Sequence, residues 1–433
     1  MSKQGYDWSE LWKKEDWWTV WVGFTFILLA IAGVIARPTL PGRWGGESGA
    51  FASAFPSISG VILTGVICLV LFAVAVFVCK KEDGPKFLIA FPFIFVLAIL
   101  AELLGGYAPW RHYGINNVIW ALVLGLLISN IIKTPQIMQG AVRTELYIKT
   151  GLVLLGASIL FNRIIALGAL GLGVAWIVTP AVVIFMYWFS QRVMGMQENR
   201  GLAITIAAAT SVCGVSAAIA AGTAAKAKKE EISLAISVTL IFTVLMMLAM
   251  PALVAAVGID PIVGGAWLGG TIDSTGAVVA AGAMLGPEAM EVASVIKMIQ
   301  NVMIGILAFG IAVFFVVAYE KKSASEAEVG PLEIWIRMPK FIIGFILASI
   351  VYSFFLPQAV VDSSLSIVNG WRGFFFTLAF VSIGLESNFA EMAKMTKGGK
   401  PLTLYLIGQT MNLILTLLAA YFFFSGVFFE LPF

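Results

Sequence analysis

The chain has 433 residues, of which 60% are hydrophobic and only 12% charged, with a formal net charge of +3. Soluble domains run near half apolar and a quarter charged, and the mean hydropathy here is +0.97, so an ordinary soluble enzyme is excluded. So small a net charge, carried in short loops, argues against a nucleic-acid partner. An all-α polytopic membrane protein is what remains. Cys68, Cys79 and Cys213 form neither a disulfide framework nor a metal motif. The opening MSKQGYDWSELWKKEDWW lacks a signal-peptide layout, so the first span is expected to be retained.

In chain order, Trp8, Trp12, Trp17 and Trp18 beside Lys13 and Lys14 read as an interfacial anchor. Apolar spans follow at 17–36, 58–78, 87–104, 115–132, 146–161 and 164–189, then at 232–257, 292–319, 341–356, 366–388 and 402–429. That predicts about eleven full spans, most of them near the 17–25 residues a bilayer requires. Loop cations at Lys80, Lys81, Lys86, Lys133, Arg143, Arg192, Arg200, Lys321, Lys322, Lys394, Lys397 and Lys400 place those loops and the N-terminus in the cytoplasm. Residues 1–110 are read as additional N-terminal spans, and 111–433 as the working unit, with core elements around 146–302 and 366–429.

Between residues 200 and 301 the pattern changes. Two segments rich in Gly, Ala, Ser and Thr are each interrupted at the middle by a polar cluster. The first is broken at Ser211, Cys213 and Gly214, the second at Thr271, Asp273, Ser274, Thr275 and Gly276. Irregular backbone cannot face lipid, because its N–H and C=O groups would go unpaired there. Such segments therefore sit inside the protein and commonly line a transport site. Arms of about a dozen residues reach roughly the midplane at 1.5 Å per residue. Lys226, Lys228 and Lys229 remain cytoplasmic only if the first segment enters and turns back. Two re-entrant hairpins, one from each face, are expected, with a pair of broken crossing helices as the alternative.

Each second arm starts inside the protein, where its unpaired N–H groups suit an anion. Ser211, Cys213, Gly214 and Ser216 at one tip and Thr271, Ser274, Thr275 and Gly276 at the other are candidate substrate contacts, together with Lys297 and Gln300. The competing explanation is that Ser and Thr only cap broken helices while Gly and Ala permit tight packing. Asp273 would bind a coupling Na⁺ or proton or pair with Lys297, since a carboxylate within a span costs about 2.5–3.5 kcal/mol on insertion scales. Asn301 could serve the same ion. Glu386, beside Gly384 in a suspected break, is either a second titratable site or a span terminus. Lys297 either meets substrate or snorkels to the interface. Glu102, Asn130 and the single histidine, His112, are expected to carry no chemistry. No nucleophile set, phosphate loop or metal cluster appears, so neither catalysis nor any cofactor beyond a coupling ion is expected.

The runs TSVCGVSAAIAAGTAAKAKKEEISLAISV, GAWLGGTIDSTGAVVAAG and ASVIKMIQNV resemble the YeiH-like family of sulfate exporters of bacterial inner membranes. The family's Ile-Cys-Gly-x-Ser-Ala is matched by Val212–Ala217 with Val first, and GLVLLGASIL and AFVSIGLESNF resemble two further family stretches. The likeness covers about Ile115 to the C-terminus. This chain has Ile272-Asp273-Ser274 where the family has Ile-His-Glu, and Gln300 where it has Arg; Lys297 is kept. The family is similar to sodium/proton antiporters and bile-acid-type symporters, which implies inverted repeats, a core moving against a scaffold, and often a homodimer. GLVLLGASILF and FVSIGLESNF, each with a Phe five residues after a Gly, are the repeat's trace in this chain.

The expected function is secondary transport of a small anion, sulfate or a related sulfur oxyanion or sulfonate. Export is the expected direction, because an inside-negative potential expels anions by about 2.3 kcal/mol per charge per 100 mV. The alternatives are a cation/proton antiporter or Na⁺-coupled organic-anion symporter of the same fold and, from another class, a membrane subunit of a larger complex.

Overall fold

The computed structural model of the chain describes residues 8–45, 49, 51–54, 57–112, 115–320, 335, 338–390 and 399–431. Lys321, Lys322, Lys394 and Lys397, used above for orientation, lie outside them. Among the described residues the one β contact is a bridge between Trp44 and Tyr107. In lipid only helices and closed barrels leave no backbone group unpaired, and long uniformly apolar runs suit the helix, which bonds within its own segment.

The principal helices, in chain order, are α1 (Glu15–Ile31), α2 (Ile58–Cys79), α3 (Gly84–Gly105), α4 (Asn117–Leu127), α5 (Thr144–Ser158), α6 (Phe161–Leu172) and α7 (Val178–Arg192). The polar-broken region gives α8 (Arg200–Ser211), α9 (Gly214–Ala224), α10 (Lys229–Val257), α11 (Pro261–Thr271), α12 (Thr275–Leu285) and α13 (Pro287–Phe315). The chain closes with α14 (Phe341–Ile350), α15 (Gln358–Glu386) and α16 (Lys400–Phe424). Each predicted span overlaps a helix, although some run past its ends, as 32–36 and 425–429 do. Among the described residues seven helices are long and apolar enough to cross a membrane, counting α6 and α7 as one through the π turn that joins them. The chain is a multi-pass helical membrane protein.

The chain divides into two compact units. One comprises residues 1–163 and 340–388, the other 164–339 and 389–433. In the first, α4 and α15 cross so closely that a Cβ on Gly125 would lie 2.7 Å from the Gly384 Cα. Small residues at such a contact let two backbones touch. Gly384 is therefore not the suspected break: α15 continues through it, and Glu386 is the last helical residue. The N-terminal helix is tied into this unit by charge. Arg143, just before α5, bonds Asp83 at 2.8 Å and Glu15 of α1 at 3.4 Å, and Lys149 of α5 bonds Asp16 of α1 at 3.0 Å. An aromatic cluster of Phe26, Phe72, Trp371 and Phe375 packs beneath them.

The second unit contains both broken segments. Helix α13 runs past them, and it sets their geometry.

Candidate functional site

Each broken segment is a hairpin, not a kinked crossing helix. Helix α8 stops at Ser211, Val212 and Cys213 leave helical geometry, and α9 restarts at Gly214. The arms then lie side by side: a Cβ on Gly222 would come 3.0 Å from the Thr205 hydroxyl, and one on Gly201 2.9 Å from the Ala227 Cβ. In a straight helix, residues 205 and 222 would stand about 25 Å apart. The second segment folds likewise, with Gly264 of α11 a built-Cβ distance of 3.2 Å from Leu285 at the far end of α12. Glycine and alanine stripes along both pairs allow this approach, as they do between membrane helices generally.

Helix α13 shows that the hairpins come from opposite ends. Near its start, Ala289 and Ala293 pack against Gly265 and Gly269 of α11, and Met290 against Gly282 of α12. Beyond its middle, Ile304, Ala308, Ile311 and Ala312 share one buried cluster with Ala207, Ala208, Ala217 and Ala221 of the first hairpin. Between them lie Lys297, Gln300 and Asn301, about 15–20 Å along from Pro287 at 1.5 Å per residue. The two tips meet there. The Gly214 N–H donates to the Asp273 carbonyl at 2.6 Å. Position 214 has no room for a side chain, since a Cβ would lie 2.7 Å from the Thr239 methyl.

The C-terminal ends of the two first arms carry orphan carbonyls, and α13 supplies their donors. Lys297 donates from Nζ to the Val212 carbonyl at 2.8 Å and also to Gln300 Oε1. Gln300 Nε2 donates to the Ser211 carbonyl at 2.8 Å, the Gly270 carbonyl at 3.1 Å and the Thr179 hydroxyl at 3.2 Å. One amide thus joins both hairpins. Lys297 is 1% exposed, so it does not snorkel to an interface. Nor does it form an ion pair with Asp273, whose Oδ2 accepts from Tyr405 of α16 at 2.8 Å. Asn301 donates to the Thr275 hydroxyl at 2.9 Å. Glu386 belongs to the first unit, where Thr144 donates to it at 3.0 Å.

The tips are open on one side only. Ser211, Gly214, Thr271, Asp273, Thr275 and Gly276 are buried, Cys213 and Ser274 are half-buried, and Val215 and Ser216 are exposed. Cys213 and Ser274 are the N-caps of α9 and α12; both have extended backbone, and neither side chain caps its own helix. The start of α9 therefore reaches the surface through Cys213, Val215 and Ser216, that of α12 only through its N-cap Ser274, and the carbonyl ends are sealed around Lys297 and Gln300.

Sequence reasoning missed the contribution of α16. Tyr405, Gln409, Asn412 and Thr416 recur every three or four residues and so share one face of that helix. Gln409 donates to the Thr271 carbonyl at 3.2 Å and Asn412 to the Thr210 carbonyl at 3.2 Å. That polar stripe was the available signal. Three buried oxygens around the crossing lack a hydrogen-bond partner among the described residues: Thr271 Oγ1, Asn301 Oδ1 and Gln409 Oε1. Among the described residues no cluster of three His, Cys, Asp or Glu side chains could hold a metal ion.

A family model described as conserved hypothetical protein 698 matches residues 89–405, which include both hairpins, α13 and Tyr405. A UPF0324 membrane protein of Rhodopirellula baltica is 51% identical over 398 residues, covering 90% of this chain and 72% of its own length. The chain belongs to the UPF0324 membrane-protein family. This is the YeiH-like family that the hairpin motifs resemble. A UPF0324 member from Nitratidesulfovibrio vulgaris is 49% identical over 359 residues; the match covers 81% of this chain and 62% of that protein's length. A UPF0324 member from Nitrosomonas europaea is 25% identical over 461 residues, covering 91% and 92% of the two chains. No solved structure matches.

Proposed function

We propose that this UPF0324 protein is a secondary transporter of a small anion, sulfate or a related sulfur oxyanion or sulfonate, working by alternating access around the hairpin crossing. The observation that carries the reading is the asymmetry of that crossing. Two helix N-termini, not capped by their own N-cap side chains, reach an accessible surface through Cys213, Ser216 and Ser274, while both carbonyl ends are buried against Lys297 and Gln300. The Gly214 N–H is taken by the Asp273 carbonyl, but the two helix starts still carry the positive dipole end, which attracts an anion. The hydroxyls of Ser216, Ser274 and Thr275 add donors, and Gly214 and Gly276 permit close backbone approach. Opposed hairpins meeting at midplane depth are what inverted repeats would produce, with about eleven spans in a bacterial inner membrane, a cytoplasmic N-terminus and a homodimer. Outward movement follows the membrane potential.

The test is flux of radiolabelled sulfate from proteoliposomes containing the full chain, with an imposed inside-negative potential. Flux above protein-free vesicles that falls in Ser216→Ala/Ser274→Ala supports the reading; flux equal to the empty vesicles for sulfate, thiosulfate and alkylsulfonates alike refutes it. A second reading, coupling to Na⁺ or H⁺, is favoured by one observation. Asp273 is 2% exposed, and buried oxygens without partners among the described residues lie on Thr271, Asn301 and Gln409 of the same assembly. Carboxylate, amide and hydroxyl oxygens are ligands that hard cations take. Flux that responds to an imposed Na⁺ or pH gradient at constant potential would establish it.

A further inference from the structure

A second feature of the hairpin-bearing unit has no place in the transport reading. Helices α7 and α13 leave between them a groove of about 630 Å³, floored by Ile204 of α8. Its walls are apolar along most of its length, from Pro180 and Met303 at one end past Ile184, Gly310 and Phe314. Gly310 deepens it, since a Cβ built there meets nothing within 4 Å. Ile184 is 68% exposed and Phe314 44%, so the groove is open at its side.

The chemistry changes at one end. Gln191, Arg192 and Tyr319 close the groove there, and the hydroxyls of Tyr187 and Tyr319 bond each other at 2.7 Å. The guanidinium of Arg200 lies 4.2 Å from the Tyr319 ring centroid, and its buried Nε has no acceptor among the described residues. Among the described residues neither Arg192 nor Arg200 forms an ion pair, the nearby Glu198 included. Arg200 is also the first residue of α8, whose N-cap Asn199 makes no side-chain cap bond. Two arginines that form no ion pair among the described residues therefore stand where an apolar slot ends, with the Glu231 carboxylate set apart beside Gly201, 3.3 Å from a Cβ built there.

The length fits one kind of occupant. From Pro180 to Arg192 the α7 wall rises about 18 Å, close to half of the roughly 30 Å hydrocarbon core of a bilayer. We propose that this groove binds one anionic phospholipid, with an acyl chain lying between α7 and α13 and the phosphate held by Arg192 and Arg200. Basic pockets between membrane helices hold lipid headgroups in this way. The slot suits a chain confined to a single leaflet, whereas a soluble anion would leave its apolar length unused.

The test uses the full chain, purified in mild detergent from vesicles of phosphatidylglycerol mixed equally with phosphatidylcholine. Lipid retained per chain is counted by native mass spectrometry. About one phosphatidylglycerol per chain is expected, in preference to phosphatidylcholine. Arg192→Gln, at an exposed position, should lower that preference about fivefold, the factor for one surface arginine, and Gly310→Phe should remove the retained lipid by filling the slot. Equal retention of the two lipids by the parent chain, or unchanged retention in both variants, overturns the proposal. If Gly310→Phe fails to fold, shown by loss of a monodisperse peak, the Arg192→Gln preference decides alone. An Ile184→Cys chain that cross-links to a second copy in the vesicles would show that protein fills the groove, and would likewise overturn it.

Discussion

Gln300 is the smallest group whose removal should loosen the whole hairpin crossing. Its amide is 2% exposed and donates to a carbonyl on each hairpin, while its oxygen accepts from Lys297. In Gln300→Leu the volume is nearly kept and the donors vanish. The Ser211 carbonyl retains the Thr179 hydroxyl at 3.1 Å, but the Gly270 carbonyl has no other partner among the described residues, and the buried ammonium loses one of its two acceptors. A buried polar group left unsatisfied costs about 1–3 kcal/mol. The Gly270 carbonyl alone gives roughly 1–3 kcal/mol, to which the ammonium's lost acceptor adds, with the upper half reached only if no water enters. Unfolding in mixed micelles of rising SDS content, followed by tryptophan fluorescence, measures the change. Ser363→Ala, on an exposed turn of α15, should move the midpoint little and serves as the control. A Gln300→Leu midpoint that tracks the control would mean the hairpins are joined by packing alone, and the account of the crossing would fail.

The remaining predictions concern packing, access and charge. Gly265→Leu should destabilise by about 1–3 kcal/mol in the same titration, because even a Cβ there lies 2.5 Å from the Ala289 carbonyl. Maleimide should label half-buried Cys213 much faster than fully buried Cys68, and sulfate should slow only the Cys213 reaction; equal protection of both would exclude an anion at the tips. Arg143→Met removes partly exposed pairs to Asp83 and Glu15 and should cost about 1 kcal/mol or less, shrinking in high salt. Asp273→Asn should tighten sulfate binding by about 1–2 kcal/mol, taking an effective dielectric near 20, which is roughly tenfold. It should also erase any dependence of that binding on Na⁺ or pH, both read by equilibrium binding in detergent.

The hairpins were legible because polarity and small residues interrupt a greasy background at Ser211–Gly214 and Thr271–Gly276, and nothing but buried, irregular backbone tolerates that in lipid. Their doubling back was legible only through charge, since Lys226, Lys228 and Lys229 after the first segment argued for a return to the same side. The partners on α16 were harder to see, because Tyr405, Gln409 and Asn412 stand among apolar residues and each alone passes for an interfacial or packing residue. Gly384 misled for a different reason. Glycine in a membrane helix marks either a break or a close crossing, and the sequence does not state which, whereas contact with Gly125 does. Buried faces were least legible in helices that are apolar all round. In α3 the residues turned inward are Phe87, Ala90, Phe91, Ile94, Ala98, Ala101 and Gly105, with no polar stripe opposite to reveal them.

A charge account of the crossing links the two functional readings. Each helix end carries about half an elementary charge, positive at the N-terminus and negative at the C-terminus. The ends of α8 and α11 together bring about −1, and Lys297, bonded to the Val212 carbonyl past α8 and to Gln300, which holds the Gly270 carbonyl of α11, offsets it. The starts of α9 and α12 bring about +1, and these lie on the accessible side. Asp273 then decides the total. Ionised, it cancels the attraction that the helix starts offer an anion; neutralised by a proton or paired with a sodium ion, it leaves that attraction intact. Binding of the anion and of the cation would then favour each other by the same factor, as linkage requires. Among the described residues the buried Asp273 carboxylate bonds Tyr405 and does not touch the nearby Lys297, an arrangement in which the proposed coupling would be switched by a single small cation. Had Lys297 been salt-bridged to Asp273, the carbonyl ends would have lost their counter-charge, and the site would have had neither a stable positive face nor a titratable control.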